Sequence, residues 1–417
     1  MSISSDIAKV NELLNRHYYK GSLNDYTTKS DGTTCFKISD DAYVDTEAYA
    51  YYDTSDTSLN FIRLEKNKYN NGQVVGSKTY YKGVESIAAA ASTDIPWTSR
   101  VANITTVNFM GEIQPVSTAY WFDGCENLTA INNLDRLDTS KCTSFAHMFK
   151  GCAALGSVIM TAHNTAAVTD MSYMFSGCTA LYNCVLTNFN TAAVTNMSYM
   201  FDSCMTLASL DVSMFDTSNV ITFAGMFSEC YDLATLTLGN FITSNATSMA
   251  LMFNLCTSLT SLSLTSFDTS KVTTMRRMFY TCRACTSFDL TSFNTSRVAD
   301  MYQMFSGCNA LTALSLATIM PIAATTVEGM FADCTSLVSL DLRSWEFKFD
   351  ATSVSANDLF SGCSSLEHIY ISSLWDVSKI STATDVFTDD ELLPNYDATD
   401  VTGAKAHAGE NGYLELR

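Results

Sequence analysis

Charge is scarce in this chain, and positive charge scarcest. Only 16% of its 417 residues are charged, and 24 Lys and Arg stand against 43 Asp and Glu, a net of -19. Phosphate backbones are held by Lys and Arg, so the balance argues against a nucleic-acid partner. It also disfavours docking on anionic membranes. No apolar run is long enough to span a bilayer, so membrane insertion is not expected. The opening stretch "MSISSDIAKVNELLNRHYYKG" lacks the apolar core of an export signal. That predicts a protein kept in a cytosol or released by lysis or a non-standard route.

The equipment of catalysis is missing as well. Five histidines (His17, His147, His163, His368 and His407) are scattered, with no ligand pair at metal spacing. There is no Gly-rich phosphate loop, zinc knuckle or nucleophile elbow. No cofactor, metal or catalytic residue is expected, and the chain reads as a non-enzyme.

What the chain has instead is a repeat. Phe followed three residues later by Cys occurs ten times, from Phe122/Cys125 to Phe360/Cys363, with a step of 26 residues from Phe149 to Phe331. A worn eleventh copy centres on Phe387, with Asp390 in the cysteine place. Within a unit, Met171, Met174, Phe175 and Cys178 fall at i, i+3, i+4 and i+7, one face of a helix. The residue before that stripe is always a good N-cap, as at Ser144, Asp170, Asn196 and Thr222. Leu207, Leu210 and Val212 then show strand alternation, and "FDTSNV" closes the unit as a turn.

The expected fold is therefore an α/β solenoid, each coil a short helix plus a short parallel strand. No single unit can bury its stripe alone, so the coils must stack on one continuous core. Residues 101–390 form about eleven such coils. Ahead of them we place an N-terminal helix at 1–22, then a small separate β-rich domain at 23–100, with a hairpin turning near Asn71-Gly72. Residues 391–417 are read as a C-terminal cap.

"MSYMFSGC" (171–178) raises a copper(I) site through Met171, Met174 and Cys178. The stripe recurs every coil, and Phe145, Phe223, Leu359 and Val386 replace its methionines, which core accepts and ligands do not. The cysteine column reads as stacked buried free thiols rather than disulfides. Cys285 of "CRAC" stands where other coils have Leu, so it too reads as core. The sequons at Asn103, Asn127, Asn196, Asn245 and Asn294 arise easily in a chain rich in Ser and Thr.

Written out as F-D-T-S-x-V-T-x-M-x-x-M-F-x-x-C-x-x-L-x-x-L-x-L, the unit resembles the BspA-like leucine-rich repeat family. It is closest to the 26-residue variety of mycoplasma and gut bacterial surface proteins, and the likeness covers about residues 110–390. The resemblance implies a leucine-rich-repeat solenoid displayed on a surface, in proteins several of which are associated with adhesion. It carries over no catalytic residue.

Binding is expected on the exposed strand face. Its outward positions are Ser209, Asp211 and Ser213; Thr235 and Thr237; Ser261, Ser263 and Thr265; Ser287, Asp289 and Thr291; Ser339, Asp341 and Arg343; His368 and Tyr370. Ile7, Val10, Leu13 and Leu14 form an amphipathic stripe that either packs on its own domain or docks the chain to a larger assembly. The leading functional expectation is a binding protein on the outside of a particle, a phage fibre or decoration protein that contacts a host-surface glycan or protein. A bacterial cell-surface adhesin and a cytosolic scaffold are the alternatives. The N-terminal region would serve as anchor, and a homo-oligomer is admitted.

Overall fold

The computed structural model describes residues 17–19, 26–28, 34–36, 43–239, 241–345, 353–371, 378, 380–394 and 414–416. The stripe expected over Ile7, Val10, Leu13 and Leu14 lies outside them.

Nine strands lead into the solenoid: β1 (His17–Tyr19), β2 (Tyr26–Thr28), β3 (Thr34–Phe36), β4 (Tyr43–Asp53), β5 (Ser58–Glu65), β6 (Gln73–Val75), β7 (Lys78–Lys82), β8 (Thr106–Phe109) and β9 (Ala130–Asn132). One sheet runs β6-β7-β4-β5-β8-β9, with β1 also on β4. Its first half is antiparallel, but β5, β8 and β9 pair in parallel. The N-terminal sheet thus continues into the first coils across position 100, where the sequence suggested a boundary. Both share one core, from Leu59 and Phe61 through Trp97 and Trp121 to Phe122. The β6–β7 hairpin turns at Gly76-Ser77, between paired Val75 and Lys78, and not at Asn71-Gly72.

The coils that follow carry short parallel strands. These are β10 (Ser157–Ile159), β11 (Asn183–Val185), β12 (Ser209–Asp211), β13 (Thr235–Thr237), β14 (Ser339–Asp341), β15 (Val354–Ser355), β16 (His368–Ile371), β17 (Ile380–Thr382) and β18 (Glu415–Leu416). β18 pairs in parallel with β16, taking the place of a next coil's strand.

The predicted short helices do not form. Among the described residues the stripe is instead a spiral of tight turns, and its hydrogen bonds show why. Across 171–178, the amides of Met171, Tyr173, Phe175 and Gly177 donate to Asn196, Ser198, Met200 and Asp202 of the next coil. Those of Met174, Ser176 and Cys178 turn back to Met171, Tyr173 and Phe175, three residues earlier. The remaining amide, Ser172, donates to the Asp170 carboxylate at 2.8 Å. Every donor is used, half of them between coils. Parallel strands set the coil step at about 4.8 Å, whereas a helix with side chains is ~10–12 Å across. Helices cannot stack at that step, but a flat spiral can.

Two residues per spiral take left-handed backbone to make this path, Tyr173 (φ 56°) and Gly177 (φ 74°) in this coil. The inward set is unchanged: Met171, Met174, Phe175 and Cys178 are all fully buried. The expected caps keep their chemistry in a new setting. From Ser117 to Thr326, each accepts the amide two residues on, as Asn196 does from Ser198 at 3.0 Å.

Three ladders tie coil to coil. Eleven Phe rings from Phe122 to Phe387 stack at centroid steps of 5.5–5.9 Å. Each such pair contributes about 0.5–1.5 kcal/mol beyond burial. Buried threonines of the "DTS" turn donate to the next coil, for instance Thr191 to Asp216 O and Thr217 to Ile242 O, both at 2.9 Å. Cysteines form the third: Cys178 Sγ donates to Phe149 O of the preceding coil at 3.1 Å, and Cys204 to Phe175 O at 3.3 Å.

Candidate functional site

The column residues divide into an apolar, nearly constant inside and a varied outside. The inside offers little chemistry. The thirteen cysteines from Cys125 to Cys363 are free thiols. Burial pushes Cys125 and Cys178 up to about 12 and Cys204 and Cys256 well above the ordinary thiol range. A thiol that stays protonated and hidden is a poor nucleophile and ligand. Met171, Met174 and Cys178 are core, and the Cys178 thiol is already engaged with Phe149. Cys282 and Cys285 are unpaired, and Cys285 Sγ donates to Ser287 O at 3.2 Å. Among the described residues no group of three or more His, Cys, Asp or Glu converges as a metal would require.

The strand face lies where the alternation put it. Leu210 and Leu340 point in, while Ser209, Asp211, Thr235, Thr237, Ser261, Ser263, Thr265, Ser287, Asp289, Thr291 and Arg343 are exposed. Ser213, Ser339, Asp341, His368 and Tyr370 are half-buried on the same side. The structure adds that the acidic column is partly engaged. Asp211 accepts the Ser213 amide at 2.9 Å, and Asp289 accepts the Thr291 amide and hydroxyl at 3.1 and 2.7 Å. Asp341 takes both Nε and Nη2 of Arg343, at 2.9 and 2.6 Å. These donors hold all three carboxyls below the usual range. His368 and Tyr370 stack at 5.8 Å.

Two surfaces escaped the sequence reading. On the strand side, Tyr182 (67% exposed) and Ile159 (54%) are large apolar side chains open to solvent. Tyr182 lies across Gly156, where an added Cβ would come within 2.8 Å of its ring. The second surface is the outside of the turn spiral. Tyr120, His147, Tyr173 and Tyr199 stack there at 4.4, 4.7 and 4.8 Å. His147 is pushed down to about 4, first by burial and then by Lys150. The same column carries Arg277, Gln303, Asp358 and Asp385 further along, and the column beside it Arg276, Tyr302 and Glu328. On an amphipathic helix these positions would be ordinary solvent-facing ones. Their change of chemistry from coil to coil was the available signal.

A stack of coils with short parallel strands, one buried column set and varied outer columns defines a leucine-rich-repeat type of solenoid. The chain belongs to the family described as "Mycoplasma protein of unknown function, DUF285", matched over residues 116–235, 204–315, 247–368 and 289–399. This bears out the BspA-like resemblance of the 26-residue unit. Three solved structures are similar at low identity. A leucine-rich repeat protein from Bacteroides ovatus is 15% identical, covering 96% of this chain and 99% of that one, with a TM-score of 0.40. A leucine-rich cell surface protein from Faecalibacterium prausnitzii is 17% identical, with coverages of 82% and 91% and a TM-score of 0.35. One from Eubacterium ventriosum is 14% identical, with coverages of 88% and 98% and a TM-score of 0.36. Comparison with proteins of curated function gives no match. Among the described residues no helix is long and apolar enough to cross a membrane.

Proposed function

We propose that the chain is a non-enzymatic binding protein that displays its solenoid on the outside of a cell and holds a host-surface glycan or protein on its outer columns. One observation carries this reading. The inward columns keep Phe in every coil and Cys and Met in most, with apolar replacements for Met, while outward columns change freely, so the repeat supplies a rigid rod and its surface supplies the chemistry. Binding functions use such rods for their extended faces. The strand face is hydroxylated and weakly acidic, with few anchoring aromatics, which suits many weak contacts summed by multivalency.

The family's Mycoplasma description supports a bacterial cell over a phage particle as the displaying surface. The N-terminal stripe at Ile7, Val10, Leu13 and Leu14 is the proposed attachment to that surface. The test is protease shaving and immunolabelling of intact producing cells, with and without residues 1–22. Full-length chain should be accessible from outside, and the truncated chain should be shed. Protein found only after lysis would sink the display reading, and protein co-purifying with virions would move it to a phage particle.

A further inference from the structure

Basic residues are absent between Lys150 and Lys271 and again between Arg297 and Arg343. Between those gaps stand Lys271, Arg276, Arg277, Arg283 and Arg297, opposed over residues 271–303 only by Asp289 and Asp300. A chain of net charge -19 thus carries a cationic island within its repeats, on two successive coils.

Its centre is ordered. Arg276 lies over the Tyr302 ring, 3.9 Å from the centroid. Arg277 lies 4.8 Å from the Tyr280 centroid and 5.3 Å from that of Tyr302. Arg277 Nε donates to Gln303 Oε1 at 2.8 Å. Arg276 faces Asp300 at 3.9 Å, beyond hydrogen-bond reach. Among the described residues neither guanidinium has an acceptor within hydrogen-bond distance of its Nη atoms. The rings fix the planes of both forks, leaving the Nη donors of Arg277 without an acceptor and those of Arg276 facing only the Asp300 carboxylate. The coil does not need them: the same two positions hold Ala224 and Gly225, Ala250 and Leu251, and Glu328 and Gly329 in other coils.

A planar guanidinium already held in position loses little freedom on taking a carboxylate or sulfate through paired N–H donors. The Gln303 amide lies beside them, its Oε1 held by Arg277. Tyr and Arg also anchor protein interfaces, but here the rings lie under the guanidiniums, which leaves charged forks rather than aromatic faces outermost. We propose that the island is a binding site for an anionic glycan, with Arg276 and Arg277 gripping its carboxylate or sulfate groups. The proposal rests on the reading of the chain as a surface-binding protein and names the ligand class of one of its faces.

The test is biolayer interferometry of the full chain on heparin (sulfated), hyaluronan (carboxylate only), neutral dextran and a polyglutamate peptide. Heparin or hyaluronan should bind, with affinity falling as salt rises. Arg276→Ala with Arg277→Ala should weaken that binding about tenfold or more, and Lys141→Ala, at an exposed lysine away from both faces' candidate residues, should leave it unchanged. Lys271→Glu with Arg297→Glu, both exposed and off the spiral, should also weaken binding if the first pair proves unstable. Equal binding by both double variants, equal binding to dextran, or tighter binding to polyglutamate would overturn the proposal. Binding to host cells with no anionic-glycan component would overturn it and leave the proposed function standing; loss of all host-surface binding by the wild-type chain would remove both.

Discussion

At the scale of single residues, the Phe carbonyl explains why cysteine recurs. Phe149 O accepts the Cys152 amide at 3.1 Å and the Cys178 thiol of the next coil at the same distance. A small, apolar side chain with one weak donor fits that place, and cysteine is the residue that combines them. The last coil tests the rule, because Asp390 occupies the position with no exposure and no hydrogen-bond partner for either oxygen. Burial raises its carboxyl to about 8. The unfolded chain gives up this proton near the ordinary carboxylate value while the folded chain keeps it. From about pH 4 to about pH 8 the unfolded state therefore binds fewer protons, and stability falls as pH rises through that window. Asp390→Cys is predicted to raise the melting temperature at pH 7, with a gain that shrinks toward pH 4. A gain independent of pH would show that the carboxyl is not the cause.

At the scale of the element, the question is how a helical pattern came to be a spiral of turns. The spacing i, i+3, i+4, i+7 states which side chains face inward, and it was right about Met171, Met174, Phe175 and Cys178. It does not state how the backbone joins them. Two left-handed residues at Tyr173 and Gly177 give the same inward set in a flatter path. The sequence did hold a trace of this, since Gly124, Gly151, Gly177, Gly307 and Gly362 fall two residues after the column Phe, where a helix interior would disfavour glycine. The opposite sign makes a test. In a helix, Gly177→Ala would stabilise the chain by about 1 kcal/mol. In the spiral, φ is 74° and the new Cβ would meet Gly151 backbone at 3.4 Å. The variant is predicted to lose about 1–2 kcal/mol, read from chemical denaturation.

The strand half of each coil was more legible. Leu210 and Val212 alternate with Ser209, Asp211 and Ser213 because a two-residue period leaves one arrangement with the leucines inside. The candidate site was legible only as a list of outward positions. That Arg276 stacks on Tyr302 from the next coil, or that Arg277 holds Gln303, depends on a 26-residue register that brings distant residues side by side. No local pattern announces such pairs.

At the scale of the whole molecule, the ladders make a rod in which neighbouring coils support each other, and the N-terminal sheet extends it without a break. One side of the rod is hydroxylated and weakly acidic. The other runs from an aromatic stack at Tyr120–Tyr199 through the arginine island to acidic coils near Asp358 and Asp385. The account's central claim is that these faces, and not the core, perform the function. The direct measurement is binding of the full chain to an array of host-surface glycans and to host cells. Wild type should be compared with Asp211→Lys/Asp289→Lys on the strand face and Arg276→Ala/Arg277→Ala on the turn face, each checked for an unchanged melting temperature. The account predicts binding by wild type and a marked loss in at least one folded face variant. Binding that survives both sets of substitutions in folded protein, or no binding by wild type, would contradict it.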